Sequence, residues 1–203
     1  MKKVIICLGQ ISDLPVIDAD VVGVDYGAQF LADNKVPMVL AVGDFDSTDK
    51  LDLIKGYCKE VRVLTSQKNE TDSEVAFEWA AKYYDCIDVY GGLGGRLDHE
   101  YANLSLLINR KYPITFYNNK NKVFALSSGT HTIGKNDYRY ISFFPIVDSV
   151  ISLSRVKYPL EKAELKIGDI YTVSNEIISE TMVLEVIGEV LVIQSNDKEN
   201  KKG

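Results

Sequence analysis

Residues 86–108 read CIDVYGGLGGRLDHEYANLSLLI and combine a short apolar run, a glycine-rich loop and a helical pattern. The run CIDVYGG (86–92) has the length of a buried strand, and YANLSLLI (101–108) repeats apolar residues at helical spacing. Four of the five residues from 91 to 95 are glycine, so the backbone there can turn sharply or let another group approach closely. A strand, a loop and a helix in this order form one unit of an α/β sheet.

The same rhythm extends over the N-terminal half of the chain. The apolar runs that predict strands are VIICLG (4–9), DVVGVD (20–25), MVLAVGD (38–44), EVRVLT (60–65), CIDVYGG (86–92) and ITFYN (114–118). Helical patterns lie between them. The pattern over 73–84 places on one face Val75, Ala76, Trp79, Ala80 and Tyr83. The pattern over 101–108 places on one face Tyr101, Leu104, Ser105 and Ile108. Strands that alternate with helices favour a mostly parallel sheet.

The second half of the chain has a different pattern. From about residue 121 the apolar residues alternate with period two between turn signals, for example in YRYISFFPI (138–146) and TMVLEVIGEVLVIQS (181–195). This alternation predicts an antiparallel β-sandwich. We therefore expect an N-terminal mostly parallel α/β sheet domain over 1–120, followed by a C-terminal antiparallel β-sandwich over 121–203.

Composition narrows the class of protein. The chain has 203 residues, 46% of them hydrophobic, and a formal net charge of −6, which argues against a nucleic-acid partner. No apolar run reaches the roughly 18 residues of a membrane helix, and the apolar stretch near the N-terminus is too short for a signal peptide, so we expect no membrane partner and a cytoplasmic location. Cys7, Cys58 and Cys86 are odd in number and widely spaced, which favours neither a disulfide framework nor a zinc site.

Ionisable side chains follow four of the six predicted strands. They are Asp25, Asp44, Asp46, Lys68, Asp72, Arg96 and Asp98. In open parallel sheets the carboxyl ends of the strands share one edge, and ligands bind there where the strand order reverses. The four loops are therefore expected to converge on one site, although they are distant in sequence.

Two readings of the acidic residues stay open at this point. Asp44 and Asp46 in GDFDS (43–47) suit Mg²⁺, which takes oxygen ligands and is shared between carboxylates and substrate phosphates. The same stretch could be an ordinary acidic turn that caps a helix. Thr71 and Glu74 likewise have the spacing of a capping pair around Asp72. Their shared location favours a metal site.

The glycine loop and its arginine suit a phosphate. Arg96 would place a bidentate donor among backbone amides, with Lys68 as a second cation, although both could be solvated surface residues. The loop does not match the dinucleotide motif GxGxxG, because Leu97 stands at its last position. The stretch GTHTIGKN (129–136) matches GxxxxGK but lacks the Ser or Thr of a P-loop and precedes a strand pattern, so we interpret it as a β-turn.

The segments VDYGAQFL, GDFDS, KNETDSEVAF, GGLGGRLDHEYANLSLL and YTVSNE resemble the thiamine pyrophosphokinase family in their order and spacing along nearly the whole chain. The resemblance implies an α/β nucleotide domain, a β-sandwich and a homodimer with active sites between subunits. It also implies an ATP:thiamine diphosphotransferase that uses Mg²⁺ and forms thiamine pyrophosphate and AMP. Two departures, Asn69 where an acid is common and Tyr26 where a glycine is common, leave the role of the Lys68 loop and the nucleotide fit open.

The resemblance also assigns roles to individual residues. It implies metal ligation by Asp44, Asp46 and Asp72. It implies ATP contacts by Asp25, Lys68, Gly94, Gly95, Arg96 and Asn103. It implies thiamine contacts by Asp98, Ser174 and Asn175. The catalytic residues would be Asp46, Asp72, Arg96 and Asp98, the last as a candidate base for the hydroxyl proton.

Three other functions remain open from the sequence. The first is a pyrophosphoryl or nucleotidyl transferase on the same scaffold that acts on another small alcohol. The second is a non-catalytic sensor of magnesium nucleotides. The third is a structural role in which the acids cap helices and the glycine loop is merely flexible.

Overall fold

The computed structural model describes residues 1–46, 48–65 and 69–197. The chain divides into two compact units, Met1–Asn118 and Asn119–Gly203. Among the described residues no helix is long and apolar enough to cross a membrane.

The first unit is a doubly wound α/β sheet. Its elements are β1 (Lys3–Cys7), β2 (Asp20–Val24), α1 (Tyr26–Asp33), β3 (Leu40–Gly43), α2 (Leu51–Tyr57), β4 (Val61–Val63), α3 (Asp72–Tyr83), β5 (Cys86–Tyr90), α4 (Leu97–Arg110) and β6 (Ile114–Tyr117). The strand order is β6-β5-β1-β2-β3-β4, and every neighbouring pair is parallel. The order reverses between β1 and β5, and each of the six predicted runs overlaps one of these strands.

Burial of the central strands explains why they could be predicted from the sequence. Helices cover the central strands on both sides, so β1 and β2 are buried at almost every position and read as continuous apolar runs. On one side of the sheet Ile5 and Cys7 pack with Leu31 of α1. On the other side the fully buried rings of Phe77 and Phe116 meet edge to face, with 5.9 Å between their centroids.

The two predicted helix faces are partly wrong. In α3 the buried residues are Ala76, Phe77 and Ala80, whereas Tyr83 is exposed. In α4 the buried residues are Asn103 and Leu107, whereas Tyr101 is 74% exposed. The reason in α4 is a hydrogen bond: Asn103 Nδ2 donates to the carbonyl of Gly92 at 3.1 Å and so turns the face with Asn103 and Leu107 inward.

The second unit is an antiparallel β-structure. Its strands are β7 (Asn121–Gly134), β8 (Tyr140–Pro145), β9 (Ser149–Ser154), β10 (Leu160–Leu165), β11 (Asn175–Glu176) and β12 (Thr181–Ser195). The long strands β7 and β12 pair along their length, with a register shift between Val186 and Glu189. Before the shift β12 also pairs with β9, and after it with β8, so β12 runs through both layers around one apolar core. The predicted fold class, an α/β sheet domain followed by a β-sandwich, is confirmed.

One turn prediction in this unit is wrong. Residues 129–134 of GTHTIGKN continue strand β7 and pair with β12, so the β-turn expected there is absent. The physical reason is the register shift between Val186 and Glu189 of β12. It absorbs the irregularity at Gly129, so the pairing of β7 with β12 continues on both sides of this glycine. The rejection of a P-loop holds, because strand β8 follows and no helix begins there.

Candidate active site

A cleft of about 520 Å³ lies at the carboxyl edge of the parallel sheet. Register places Cys7 of β1 beside both Gly23 of β2 and Tyr90 of β5, so the loops after these three strands leave the sheet at the same edge. The cleft is lined by those loops and by the first turns of α3 and α4. It therefore opens where the strand order reverses, which is the usual ligand position in this architecture.

The structure brings most of the predicted first-unit residues to this cleft. Those that line it are Asp25, Asp72, Gly95, Arg96, Asp98 and Asn103. Gly94, Asp44 and Asp46 do not line it, and Lys68 lies outside the described residues.

Some glycines of the loop after β5 are required for packing against neighbouring residues. A methyl group on Gly91, which has φ +74°, would lie 2.5 Å from the backbone of Leu8 and Ile11, and one on Gly92 would lie 3.0 Å from the Phe116 ring. A methyl group on Gly94, which has φ +92°, would lie 3.5 Å from Asn118 Nδ2, which is an ordinary contact. The first two glycines are therefore required by neighbouring protein, whereas Gly94 is favoured as glycine by its backbone conformation.

Helix α4 holds the glycine loop in place. The buried Asn103 donates its amide hydrogen to the Gly92 carbonyl, and Glu100 Oε2 accepts from the Gly94 backbone N–H at 3.3 Å. Sequence analysis assigned Asn103 to ATP. Its amide nitrogen is used to fix the loop, while the residue still borders the cleft.

Arg96 and Asp98 form an exposed ion pair at the mouth of the cleft. Arg96 Nε and Nη2 donate to the two carboxylate oxygens at 3.2 and 2.6 Å. The hydrogen bond from Arg96 lowers the pKa of the Asp98 carboxyl below its ordinary value, and the same contact raises the pKa of Arg96. At neutral pH the pair is therefore charged, and Asp98 is a weak base as long as Arg96 holds it.

Asp25 occupies a strained position at the end of β2. Its φ of 49° and ψ of −118° are rare for a residue with a side chain, and its N–H donates to the Val42 carbonyl at 2.9 Å. Its Oδ1 is buried against β3, where a methyl group on Gly43 would lie 2.0 Å from that oxygen. Gly43 therefore makes the room in which the carboxylate sits, a role that sequence analysis missed.

The acidic loop after β3 is anchored by an aromatic ring. Phe45 is 7% exposed and packs in the core of the first unit although its φ is 52°. Half-buried Asp44 and exposed Asp46 flank this ring, and the Asp46 N–H donates to Asp44 Oδ1 at 3.3 Å. The anchor fixes the loop so that two carboxylates leave the sheet edge together.

The predicted carboxylate ligands are compatible with magnesium, but they do not form a complete coordination site on their own. In the described ranges no group of three His, Cys, Asp or Glu side chains is gathered closely enough to hold a metal ion, so Asp44, Asp46 and Asp72 do not form a preformed triad. Mg²⁺ in phosphate-transfer sites takes only one or two carboxylates and completes its shell with phosphate oxygens and water. Two carboxylates at i and i+2 on an anchored loop fit that requirement.

Asp72 opens helix α3 as the capping pattern predicts. Thr71 Oγ1 accepts the N–H of Glu74 at 3.1 Å, and both Thr71 and Asp72 face the cleft. The capping prediction is confirmed. The cap directs the first turn of α3, with Asp72, toward the sheet edge.

Two of the three predicted thiamine residues, Ser174 and Asn175, lie in the second unit. Ser174 is exposed with φ 57°, and its N–H donates to Ser142 Oγ at 3.0 Å. Asn175 is buried and exchanges two hydrogen bonds with the backbone of Tyr158, at 3.0 and 2.8 Å. The Asn175 amide therefore supports the segment that displays Tyr158, whose side chain is 58% exposed.

Glu176 fixes the same segment by charge. Its carboxylate accepts from Lys157 Nζ at 2.8 Å and from Arg139 Nε at 3.2 Å. These contacts lower the pKa of Glu176 below its ordinary value, with Lys157 as the first cause. The segment around Ser174 is thus held by a charged pair of contacts on one side and by the Asn175 amide on the other.

Sequence analysis also missed Gln10, which borders the cleft after β1. The rule that selected the other loops could have found it, because Gln10 follows an apolar strand at the reversal of strand order.

Comparison with known proteins agrees with this geometry. The family model for the thiamin pyrophosphokinase catalytic domain matches residues 18–117, and the model for the thiamin pyrophosphokinase vitamin B1 binding domain matches residues 130–188. Thiamine pyrophosphokinase of Bacillus subtilis is 31% identical over 186 residues, which is 87% of this chain and 87% of that protein.

Solved structures give the same result. The crystal structure of a thiamin pyrophosphokinase family protein from Enterococcus faecalis superposes with a TM-score of 0.86 at 26% identity and covers 98% of this chain and 100% of that chain. The Bacillus subtilis thiamine pyrophosphokinase structure has a TM-score of 0.82 at 28% identity and covers 97% and 100%. The chain belongs to the thiamine pyrophosphokinase family.

Proposed function

We propose that this member of the family transfers the pyrophosphoryl group of ATP to the hydroxyl of thiamine and releases AMP and thiamine pyrophosphate. The observation that carries the proposal is the cleft at the reversal of strand order, where a glycine loop, an arginine and three aspartates meet. The family assignment does not favour a non-catalytic sensor or a transferase for another alcohol. The cytoplasmic location expected from the sequence stays a prediction that cell fractionation can test.

The reaction requires the neutralisation of negative charge. The thiamine hydroxyl oxygen forms a bond to the β-phosphorus of ATP, and the bond from that phosphorus to the oxygen shared with the α-phosphorus breaks, so AMP leaves with that oxygen. Charge develops on the phosphate oxygens during this exchange. Arg96, at the mouth of the cleft, is placed to stabilise it, and the glycine loop borders the cleft at Gly91, Gly92 and Gly95, so no large side chain of this loop stands between the phosphates and its backbone.

The ion pair links phosphate binding to proton transfer. In the described structure Arg96 is bound to Asp98 and lowers the pKa of that carboxyl. When the guanidinium turns to a phosphate, Asp98 loses the contact that lowers its pKa and becomes a stronger base. Asp98 then accepts the proton of the thiamine hydroxyl.

Magnesium would be held by one or two of the carboxylates of Asp44, Asp46 and Asp72 together with phosphate oxygens, and when bound it would neutralise phosphate charge. Asp25 lies at the same sheet edge and keeps its carboxylate oriented by the strained backbone described above. Its proposed role is to position the polyphosphate side of the site.

Thiamine would be bound by Ser174 together with Asp98, in active sites formed between two subunits of a homodimer. Exposed apolar side chains in the second unit support self-association. They are Ile167, Ile170, Tyr171, Val173 and Ile178. Apolar side chains clustered this densely around one loop are typical of an interaction surface. Sedimentation tests the dimer, and a fully active monomer would contradict it.

The proposed reaction is tested by AMP release from ATP and Mg²⁺ with and without thiamine. We expect thiamine-dependent AMP from the unmodified protein and a loss of more than about a hundredfold in Asp46→Ala, the magnitude typical when one charge-stabilising group is removed. Asp52→Ala is the matched control, because the Asp52 side chain is fully exposed on α2, where it pairs with Lys55 at 3.4 Å. ATP binding without AMP formation would point to the sensor.

A further inference from the structure

We infer that the side-chain amide of Gln10 is a polyphosphate-binding group that contacts the transferred end of the nucleotide. The inference rests on the proposed function and adds a residue that follows β1 to the site. It also predicts that a side chain at position 95 would disturb the site.

The Gln10 loop is tied to the glycine loop by backbone hydrogen bonds. Leu8 N–H donates to the Tyr90 carbonyl at 2.8 Å, and Gln10 N–H donates to the Gly91 carbonyl at 3.0 Å. The two loops leave neighbouring parallel strands and are therefore fixed to each other at the reversal of strand order.

The side chain of Gln10 lies against the backbone of Gly95. A methyl group on Gly95 would lie 2.4 Å from Gln10 Cγ, 2.5 Å from Cδ and 3.0 Å from Nε2. Gly95 does not have a positive φ that would favour glycine. A side chain at position 95 would therefore have to displace the exposed side chain of Gln10, so the two positions share one space at the edge of the cleft.

The amide is exposed, borders the cleft and forms no hydrogen bond within the described ranges. A long polar side chain loses conformational entropy when it is held in one place. Here close contact with Gly95 limits the side chain while its two N–H donors remain available. A group of this kind beside Arg96 suits an oxygen of the transferred phosphates, because hydrogen bonds from a neutral amide to a charged oxygen are stronger than those between neutral groups.

Two variants of Gln10 separate donation from packing. Gln10→Met keeps the length of the side chain and its contact with Gly95 but removes the donors. Gln10→Glu keeps the shape but places a carboxylate beside the phosphates. Calorimetric binding of ATP and of inorganic tripolyphosphate, each with Mg²⁺, is expected to weaken about tenfold in Gln10→Met. It is expected to weaken further in Gln10→Glu, because like charges repel.

AMP is the control ligand, because it lacks the transferred phosphates. Its affinity is expected to stay within about twofold in both variants, the KM for thiamine is expected to stay unchanged, and the KM for ATP is expected to rise more than kcat falls. Tripolyphosphate binding does not depend on thiamine turnover, so these results stand even if thiamine is not the acceptor.

The double variant tests the contact with Gly95. Gly95→Ala should weaken tripolyphosphate binding in the unmodified protein but add little in a Gln10→Ala background, because the methyl group then fills vacated space. Wild-type affinity of Gln10→Met for ATP and tripolyphosphate would overturn the inference. An equal loss of AMP binding would also overturn it, since the amide would then contact another part of the nucleotide.

Discussion

The loop after β5 and the loop after β3 leave the same edge of the sheet but accommodate crowding in opposite ways. In residues 91–95 glycines remove the side chains that would collide with neighbouring backbone. In residues 43–46 one glycine makes room for the Asp25 carboxylate, while Phe45 keeps a side chain at a positive φ and buries it. The first loop avoids strain, whereas the second accepts strain and compensates it by burying an aromatic ring.

This difference indicates what each loop contributes. A loop without side chains offers backbone amides and space, which suits a large anionic ligand. A strained and anchored loop holds a small number of carboxylates in fixed directions, which suits a cation and precise orientation. Adding a side chain to a glycine should therefore affect stability and activity differently in the two loops.

The largest expected effect is on activity, from Gly43→Ala. The added methyl group would lie 2.0 Å from Asp25 Oδ1 and 3.0 Å from its Cγ, so the carboxylate must move. We expect thiamine-dependent AMP release to fall at least about a hundredfold, in the range of losses caused by misplacing groups in an active site. The melting temperature should fall moderately, because overpacking costs about 1–3 kcal/mol.

Gly56→Ala is the control for this prediction. Gly56 lies in helix α2, and a methyl group there would meet nothing within 4 Å. Alanine should stabilise the helix by up to about 1 kcal/mol and leave AMP release unchanged. Normal activity in Gly43→Ala would show that Asp25 can move without consequence, and the second loop would then not depend on strain.

The next effect is on stability and separates two glycines of the first loop. Gly91→Ala places a methyl group 2.5 Å from the backbone of Leu8 and Ile11 at φ +74°, so both strain and collision oppose it. We expect a loss of about 2–4 kcal/mol, measured as a fall in melting temperature. Gly94→Ala has φ +92°, but its methyl group would make only an ordinary contact with Asn118 Nδ2 at 3.5 Å, so its loss should be about 1 kcal/mol.

Relative to its loss of stability, Gly94→Ala should lose more ATP affinity than Gly91→Ala does. Gly94→Ala keeps the fold but strains the backbone directly before Gly95, which lines the cleft proposed for the phosphates, so its nucleotide affinity should fall more than its melting temperature suggests. If the two variants lose stability equally, the division of the loop into a packing part and a binding part is wrong.

The sequence predicted the six parallel strands because each reads as a short apolar run, although β4 has no buried position. It also predicted the capping contact between Thr71 and Glu74, since capping depends on residues three apart. It did not predict the inward face of α4. Tyr101 and Leu104 are more apolar than Asn103, but the hydrogen bond to Gly92 decides the rotation of the helix.

The site was predictable only as a set of loops. The rule about strand ends indicated where Asp25, Asp72 and Arg96 would meet, because that rule depends on topology. The contact of Asp25 with Gly43 and the contact of Gln10 with Gly95 join positions that are distant in sequence. No local pattern encodes such contacts, because they depend on the register of parallel strands.

The smallest expected effect concerns the Arg96–Asp98 pair and tests whether the first loop carries a preformed charge arrangement. Arg96 lowers the pKa of Asp98, so the contact stabilises the loop at neutral pH and is lost as the pH falls through that lowered pKa. In Arg96→Gln the Asp98 carboxyl should titrate at higher pH, closer to its ordinary value, in an NMR titration. Glu78→Gln, which breaks an exposed pair with Lys82 on α3, is the control and should leave the Asp98 titration unchanged. Identical Asp98 titrations in Arg96→Gln and the unmodified protein would contradict the link between phosphate binding and the basicity of Asp98, because phosphate could then not release a base by drawing Arg96 away.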